Sequence, residues 1–166
     1  MKKICKCAAV LLALICLAGC AAPAAAREKN CTVSISCAAI LDNMDLCDPE
    51  KAELVPADGW LLEPVEASFS EGESVFDVLL RVCREQKLHM EYSETPVYDS
   101  AYIEGIGNLY EFDCGARSGW MYSVNGWFPN YGCSRYQLQD GDVVEWEYTC
   151  ELGKDIGGGY ATGGDA

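Results

Sequence analysis

Polar and apolar residues alternate over several short segments of the chain, which is the pattern of strands with one buried face. In residues 31–40, Val33 and Ile35 lie on one face and the small polar residues lie on the other. Cys31 and Cys37 fall on the apolar face, so we expect both to point inward. Residues 60–69 predict a second strand, and the proline within it indicates a bulge or an edge position.

Residues 70–88 have the periodicity of one amphipathic helix. Ser74 is the expected N-cap, and Asp77, three residues on, is a weaker form of the capping box. Cys83 lies at the edge of the apolar stripe of this helix. Before the helix, residues 41–59 form a long acidic connection, with one helical turn expected after Asp48.

Further strands are predicted after the helix, and they are short. They span residues 89–92, 101–103, 109–112, 119–124 and 143–150. In the last of these, Val144, Trp146 and Tyr148 share a face with Cys150, whereas Glu145 and Glu147 are expected to face solvent. Residues 139–142 are typical of a turn.

The order of these elements predicts the fold class. Two strands, one long helix and several short strands are typical of an α+β protein with a β-grasp, or ubiquitin-like, fold, in which a mixed sheet packs on one helix. Long loops and disulfides are part of this prediction. A disulfide-stapled β-sandwich is the alternative, and the helix argues against it.

The N-terminus predicts export. Three lysines precede an apolar run that ends in Leu-Ala-Gly-Cys at residues 17–20, which is the pattern of a lipoprotein signal peptide. The run is too short to cross a bilayer, which needs roughly 20 apolar residues. We therefore expect cleavage before Cys20, a lipid on its thiol, and a location on the extracytoplasmic face of the cell membrane.

This processing divides the chain into four parts. They are a signal peptide (1–19), a lipidated tether (20–30), a β-grasp domain (31–152) and a flexible glycine-rich tail (153–166). Fully extended, ten tether residues reach only about 35 Å. The folded part is therefore expected to stay close to the bilayer.

Charge excludes one class of partner. The chain has 12 basic and 26 acidic residues, and three of the basic ones precede Cys20, so the mature protein would have a net charge of −17. Such a surface repels phosphate backbones and anionic headgroups. We expect no nucleic-acid partner, and membrane binding is expected to depend on the lipid at Cys20.

Seven of the eleven cysteines follow Cys20, which in an oxidising compartment indicates up to three disulfides and one odd thiol. We expect Cys37 to pair with Cys83, and Cys133 to pair with Cys114 or Cys150. Cys47 is the candidate for the odd thiol. Free thiols are the alternative, and a metal site is not expected because the chain has no C-x-x-C motif and only His89 as a histidine.

The candidate binding segment is the aromatic loop, residues 125–136. An Asn-Gly pair at 125–126 predicts a tight turn after the strand at 119–124. Exposed aromatic side chains favour recognition because they offer contact area at low entropic cost. The candidate contact residues are Trp127, Phe128, Asn130, Tyr131 and Tyr136. The alternative is that Trp127 and Phe128 fold back over the edge of the sheet.

The C-terminal third resembles the transcobalamin-like C-terminal domain family, whose bacterial members are largely domains of unknown function. The matching residues are Gly119-Trp120, Tyr122, Val124-Asn125-Gly126, Tyr136, Leu138, Asp140-Gly141-Asp142 and Trp146. A looser match extends back through residues 73–80 to about residue 31. The resemblance implies a β-grasp. In animal cobalamin carriers, the related domain closes over a corrinoid that is held mainly by a helical barrel, for which this chain has no room.

Together these patterns favour a non-catalytic, membrane-anchored binding module for a small ligand or a protein partner. A structural or adhesive subunit of an envelope assembly is the first alternative, and accessory cobalamin binding is the second. No other cofactor is expected. Catalysis is not expected, because residues 115–119 lack the spacing of a nucleophile elbow and Asp140 and Asp142 flank a turn glycine, where they are expected to bind backbone groups.

Overall fold

The computed structural model describes residues 28–95 and 100–162. The lipobox and Cys20 lie outside these residues, as do most of the tether and the last four residues of the chain. In the described part, no helix is both long and apolar enough to cross a membrane.

Seven strands and three helices make up the described chain. The strands are β1 (Lys29–Ser36), β2 (Trp60–Phe69), β3 (Met90–Thr95), β4 (Ser100–Ile106), β5 (Leu109–Tyr110), β6 (Gly119–Val124) and β7 (Val143–Thr149). The helices are α1 (Ala38–Leu41), α2 (Pro49–Ala52) and α3 (Val75–Gln86). Short 3-10 turns follow at Cys133–Arg135, Lys154–Ile156 and Gly159–Thr162.

The main sheet has the strand order β2-β1-β7-β6, and a second sheet has the order β3-β4-β5. β1 runs parallel to β7, whereas β2 and β6 pair antiparallel with their neighbours. A parallel pair needs a long crossover connection, and here α3 and the second sheet lie in that crossover. A mixed sheet with one long helix confirms the predicted α+β fold of the β-grasp type.

The first two strands agree with their sequence pattern. Cys31, Val33, Ile35 and Cys37 are all buried. β2 lies at the edge of the sheet. Val33 pairs with Val65 and Ile35 with Leu62, so two residues of β2, Glu63 and Pro64, stand opposite one residue of β1. The proline therefore lies at a bulge in an edge strand, where its missing N–H costs no ladder hydrogen bond.

The helix α3 begins with the predicted capping box. The backbone N–H of Ser74 donates to Asp77 Oδ2 at 2.8 Å, and the N–H of Asp77 donates to Ser74 Oγ at 3.2 Å. The helix begins at Val75 rather than near Ser70 because residues 70–73 form a preceding turn. α2 likewise follows Asp48, whose side chain accepts the N–H of Glu50.

The acidic face of β7 differs from the prediction. Val144, Trp146 and Tyr148 are buried as expected, but Glu145 and Glu147 are half-buried rather than solvent-facing. Burial, followed by the charges of Glu145 and Asp155, raises the pKa of Glu147 to about 7.

The glycine-rich tail was predicted to be flexible, and the structure instead gives residues 153–162 regular geometry. The Asp155 carboxylate accepts hydrogen bonds from the Thr149 hydroxyl and from the Cys150 N–H. Gly153 and Gly157 adopt left-handed φ values of 81° and 82° on either side of the 3-10 turn. The glycines therefore allow the chain to fold back on the end of β7.

All seven cysteines after Cys20 lie in the described chain, and all are buried free thiols. The predicted pairings of Cys37 with Cys83, and of Cys133 with Cys114 or Cys150, are absent from the structure. Cys114 instead lies beside Cys47 and Cys150. Cys47, the candidate for the odd thiol, is buried with only 7% of its surface exposed, because the acidic connection folds inward.

Candidate functional site

The aromatic loop begins with the predicted tight turn. Asn125 and Gly126 both have positive φ, 54° and 76°, as a two-residue hairpin turn requires. Val124 and Trp127 close the turn with N–H to carbonyl distances of 2.9 and 3.0 Å. The Asn125 side chain also donates to Asp142 Oδ1 at 2.9 Å and accepts the N–H of Val143 at 3.0 Å. The start of the loop is thus fixed to the start of β7.

Phe128 holds the loop to the folded tail. It is 5% exposed, and its backbone N–H donates to the Tyr160 hydroxyl at 2.9 Å. Its ring packs against Gly158, where a Cβ would lie 2.8 Å from ring atoms. The prediction that Phe128 contacts a ligand is therefore corrected, because this residue is buried against the tail rather than over the edge of the sheet. Trp127, in contrast, is 47% exposed.

The other three aromatic residues of the loop form one row. The ring centroids of Trp127 and Tyr131 are 6.1 Å apart, and those of Tyr131 and Tyr136 are 6.5 Å apart with nearly parallel planes. Tyr131 is exposed, and its carbonyl accepts the Tyr122 hydroxyl at 2.9 Å. The carbonyl of Tyr136 accepts the first N–H of α3, from Val75, at 3.0 Å. Hydrogen bonds to a strand and to a helix therefore hold the row in place.

Behind this row lies a cavity of about 410 Å³. It is bounded by the loop, by β4 and by β6, and its lining residues are Ser100, Ala101, Tyr102, Ile103, Trp120, Met121, Tyr122, Pro129, Asn130, Tyr131, Gly132, Cys133, Arg135, Trp146 and Ala161. Of the predicted contact residues, Asn130 and Tyr131 line it, whereas Trp127 stands beside its rim.

The loop is held against β4 by a close approach at Gly132. A Cβ on this residue would lie 1.5 Å from Ser100 Oγ. The adjacent 3-10 turn adds a hydrogen bond, in which the N–H of Ala101 donates to Ser134 Oγ at 3.0 Å. Sequence reasoning missed this wall of the cavity, because β4 precedes the loop by about 30 residues and no local pattern connects the two segments.

The cavity is mainly apolar, and several polar side chains also line it. Trp146, in its wall, is 2% exposed, and its Nε1 is buried without a hydrogen-bond partner among the described residues. Arg135 is exposed and makes no ion pair within the described chain. Burial raises the pKa of the Tyr122 hydroxyl, and it raises the pKa of the Cys133 thiol to about 12. Both groups are therefore neutral at pH 7, and the cavity presents hydrogen-bond donors and aromatic surface.

Three other residues that the sequence analysis considered for chemistry form hydrogen bonds within the protein instead. His89 is exposed and bonds to Glu91 and to the Tyr110 hydroxyl, at 2.8 and 3.1 Å. Ser118 is buried, and its hydroxyl donates to the Gly115 carbonyl at 2.9 Å. Asp142 accepts the N–H of Gln139 across the turn at 2.8 Å. The described residues contain no group of three or more histidine, cysteine or acidic side chains placed to hold a metal ion.

Residues 72–150 match the model of a family described as a domain of unknown function, DUF4430. No curated protein matches the chain. Among solved structures, the chain is similar to haptocorrin in complex with Cbi, with a TM-score of 0.54 and 13% identity, over 76% of this chain and 26% of that one. It is also similar to a candidate metal-binding protein from Ruminococcus gnavus ATCC 29149, with a TM-score of 0.43 and 17% identity over 74% and 97% of the two chains.

The haptocorrin similarity concerns the fold. It agrees with the fold that the resemblance of the C-terminal residues implied. Because this chain covers only about a quarter of haptocorrin, the activity of the whole carrier is not carried over with the fold.

Proposed function

We propose that this protein is a non-catalytic binding module, held on the extracytoplasmic face of the cell membrane by a lipid at Cys20. Its ligand binds in the cavity behind the aromatic loop. The observation that carries the proposal is the cavity itself, which is walled by a hydrogen-bonded loop with Tyr131 at its opening.

The size and lining of the cavity support a small organic ligand. Ligand sites usually have volumes of roughly 300 to 1,000 Å³ and combine apolar walls with a few placed polar groups. The cavity measures about 410 Å³ and has this composition. The loop is already ordered by the Tyr122 and Ser134 hydrogen bonds, so little entropy is lost in arranging it for binding.

The polar groups suggest the chemistry of the ligand. Arg135 at the edge of the cavity would attract a negative charge, in contrast to the acidic surface of the rest of the protein. A flat apolar molecule with an acidic group fits both the aromatic lining and the charge of Arg135.

Titration with 1-anilinonaphthalene-8-sulfonate, a flat aromatic sulfonate, tests this site. We expect enhanced dye fluorescence with the folded protein. The double substitution of Trp127→Ala with Tyr131→Ala should weaken binding at least about tenfold, because aromatic contacts dominate such sites. Arg135→Gln alone should also weaken dye binding, and it should make the remaining binding less dependent on salt concentration.

The matched control is Glu85→Ala on the exposed side of α3, far from the loop in sequence. It should leave dye binding unchanged. Circular dichroism should show that all variants are folded. Equal dye affinity in the wild type and in the double variant would contradict the proposal.

The lipid anchor is a separate part of the proposal and has its own test. The support is the pattern at residues 17–20, with a basic segment and a short apolar run before it. We expect the full chain to partition into the detergent phase of Triton X-114, and Cys20→Ser to remain uncleaved and unlipidated. Cys16→Ser, within the same apolar run, is the control and should behave as the wild type. Normal processing of Cys20→Ser would contradict lipidation.

A corrinoid is the second candidate ligand, because the haptocorrin structure with the similar fold is a complex with Cbi. Absorbance titration with Cbi, using the same variants, tests it directly. Binding that depends on Trp127 and Tyr131 would favour this candidate. If neither Cbi nor the dye binds, the exposed aromatic row favours the alternative of a subunit in an envelope assembly.

A further inference from the structure

Three buried thiols meet on the side of the protein where the acidic connection packs. Cys47 lies between α1 and α2, Cys114 follows β5, and Cys150 follows β7. Their exposed fractions are 7%, 0% and 3%. We refer to these three residues as the thiol cluster.

Backbone and side-chain contacts bring Cys47 next to Cys114. The N–H of Asp48 donates to the carbonyl of Asp113 at 2.7 Å, so the chain segments that contain the two cysteines lie side by side. Lys51 strengthens this contact, since its Nζ lies 3.2 Å from Asp113 Oδ2. Besides burial, the Cys47 thiol contributes to the raised pKa of Cys114 and also to that of Cys150, so the three side chains lie close together.

We propose that Cys47 and Cys114 close into a disulfide that fastens the acidic connection to the segment after β5. A disulfide needs its two Cα atoms within about 4.4–6.8 Å of each other. The backbone hydrogen bond from Asp48 to Asp113 holds the residues next to both cysteines against each other, so the two thiols can be joined without a change of fold. Cys47 is favoured over Cys150 as the partner because the backbone contact at Asp48 holds its segment directly against Cys114. Cys47 is also the most exposed member of the cluster, where an oxidant would first reach it.

The reaction is a two-electron oxidation by an organic disulfide. The Cys47 thiolate attacks one sulfur of the organic disulfide and forms a mixed disulfide with that half of the molecule. The other half leaves as a thiol. The Cys114 thiolate then attacks Cys47 Sγ and releases the second half as a thiol. Two protein protons are lost, and the donor disulfide is reduced to two thiols. Burial raises the pKa of the Cys114 thiol, so we expect closure to be faster at pH 9 than at pH 7.

Peptide mapping after treatment with oxidised glutathione tests the proposal. The full chain is oxidised, quenched in acid, alkylated and digested without reduction. We expect a peptide pair joined through Cys47 and Cys114 that dithiothreitol separates, with Cys150 alkylated. Oxidised wild type should melt roughly 4–12 °C above the reduced protein, because the bond closes a long loop, and Cys47→Ala should lose that difference.

Two variants serve as controls. Cys83→Ala removes a buried thiol of α3 outside the thiol cluster, and the linked peptide should persist. It should also persist in Cys150→Ala. The proposal is overturned if Cys47 and Cys114 both remain alkylated after oxidation of the wild type, or if the main product joins Cys114 to Cys150. Because the peptide map is made on the wild type, it tests the proposal even if a cysteine variant does not fold.

Discussion

Glu147 lies on β7 with its side chain on the face away from Trp146 and Tyr148. Its pKa is raised from 4.5 to about 7, chiefly by burial. Between these two values the folded protein binds more protons than the unfolded chain, so the protonated form stabilises the fold. This stabilisation is complete below about pH 4.5 and is lost as the pH rises through about 7.

We therefore predict that Glu147→Gln flattens the dependence of stability on pH. The wild type should lose roughly 1–3 kcal/mol of unfolding free energy from this group between pH 5 and pH 8, whereas the variant should not. Urea unfolding at the two pH values measures the difference. Glu66→Gln, an exposed carboxylate on β2, is the control and should keep the wild-type slope. An unchanged slope in Glu147→Gln would show that this carboxyl titrates normally.

Gly132 is required by space rather than by backbone conformation. An added Cβ would meet Ser100 Oγ at 1.5 Å and Ser100 Cβ at 2.5 Å, so rotating the serine hydroxyl does not relieve the overlap. We predict that Gly132→Ala costs about 1–3 kcal/mol of unfolding free energy and weakens dye binding, because the loop must move away from β4.

The comparison for Gly132→Ala is Gly126→Ala, in the tight turn. Its added Cβ would meet no atom within 4 Å, but its φ is +76°. That variant should cost only about 1 kcal/mol from backbone strain and should leave the cavity intact. Equal losses of dye binding in the two variants would refute the steric explanation.

At the scale of elements, the cap of α3 is the clearest local determinant of stability. Ser74 and Asp77 satisfy two N–H groups that the first turn of the helix leaves unpaired. We predict that Ser74→Ala lowers the unfolding free energy by about 0.5–2 kcal/mol, as measured by urea unfolding. Ser70→Ala, in the exposed turn before the helix, should change it by less than about 0.5 kcal/mol. A larger loss of stability in Ser70→Ala than in Ser74→Ala would show that the turn at Ser70, rather than the capping box, stabilises the start of α3.

The elements that were predictable from sequence are those whose cause is local. The capping box, the bulge at Pro64 and the Asn-Gly turn each depend on neighbouring residues, and each is present in the structure. The cavity was not predictable, because its walls come from β4, β6 and the aromatic loop. The burial of Phe128 was not predictable for the same reason, since its ring packs against Gly158, about 30 residues later in the chain.

At the scale of the whole molecule, the tail connects the main sheet with the candidate site. Asp155 holds the tail to the end of β7 through Thr149 and Cys150. Tyr160 then hydrogen-bonds to Phe128, and Ala161 lines the cavity. A segment whose composition suggested a flexible end therefore forms part of the support for the aromatic loop.

This arrangement predicts different results for two truncations. Ending the chain after Leu152 uncovers Phe128 and removes the hydrogen bonds of Asp155, which should cost about 2–4 kcal/mol of unfolding free energy and weaken dye binding about tenfold. Ending it after Thr162 removes only residues 163–166 and should change neither quantity. Urea unfolding and dye titration of both proteins test this. If the shorter chain kept full stability and full affinity, the tail would have no role in the site, and the loop would depend on β4 and β6 alone.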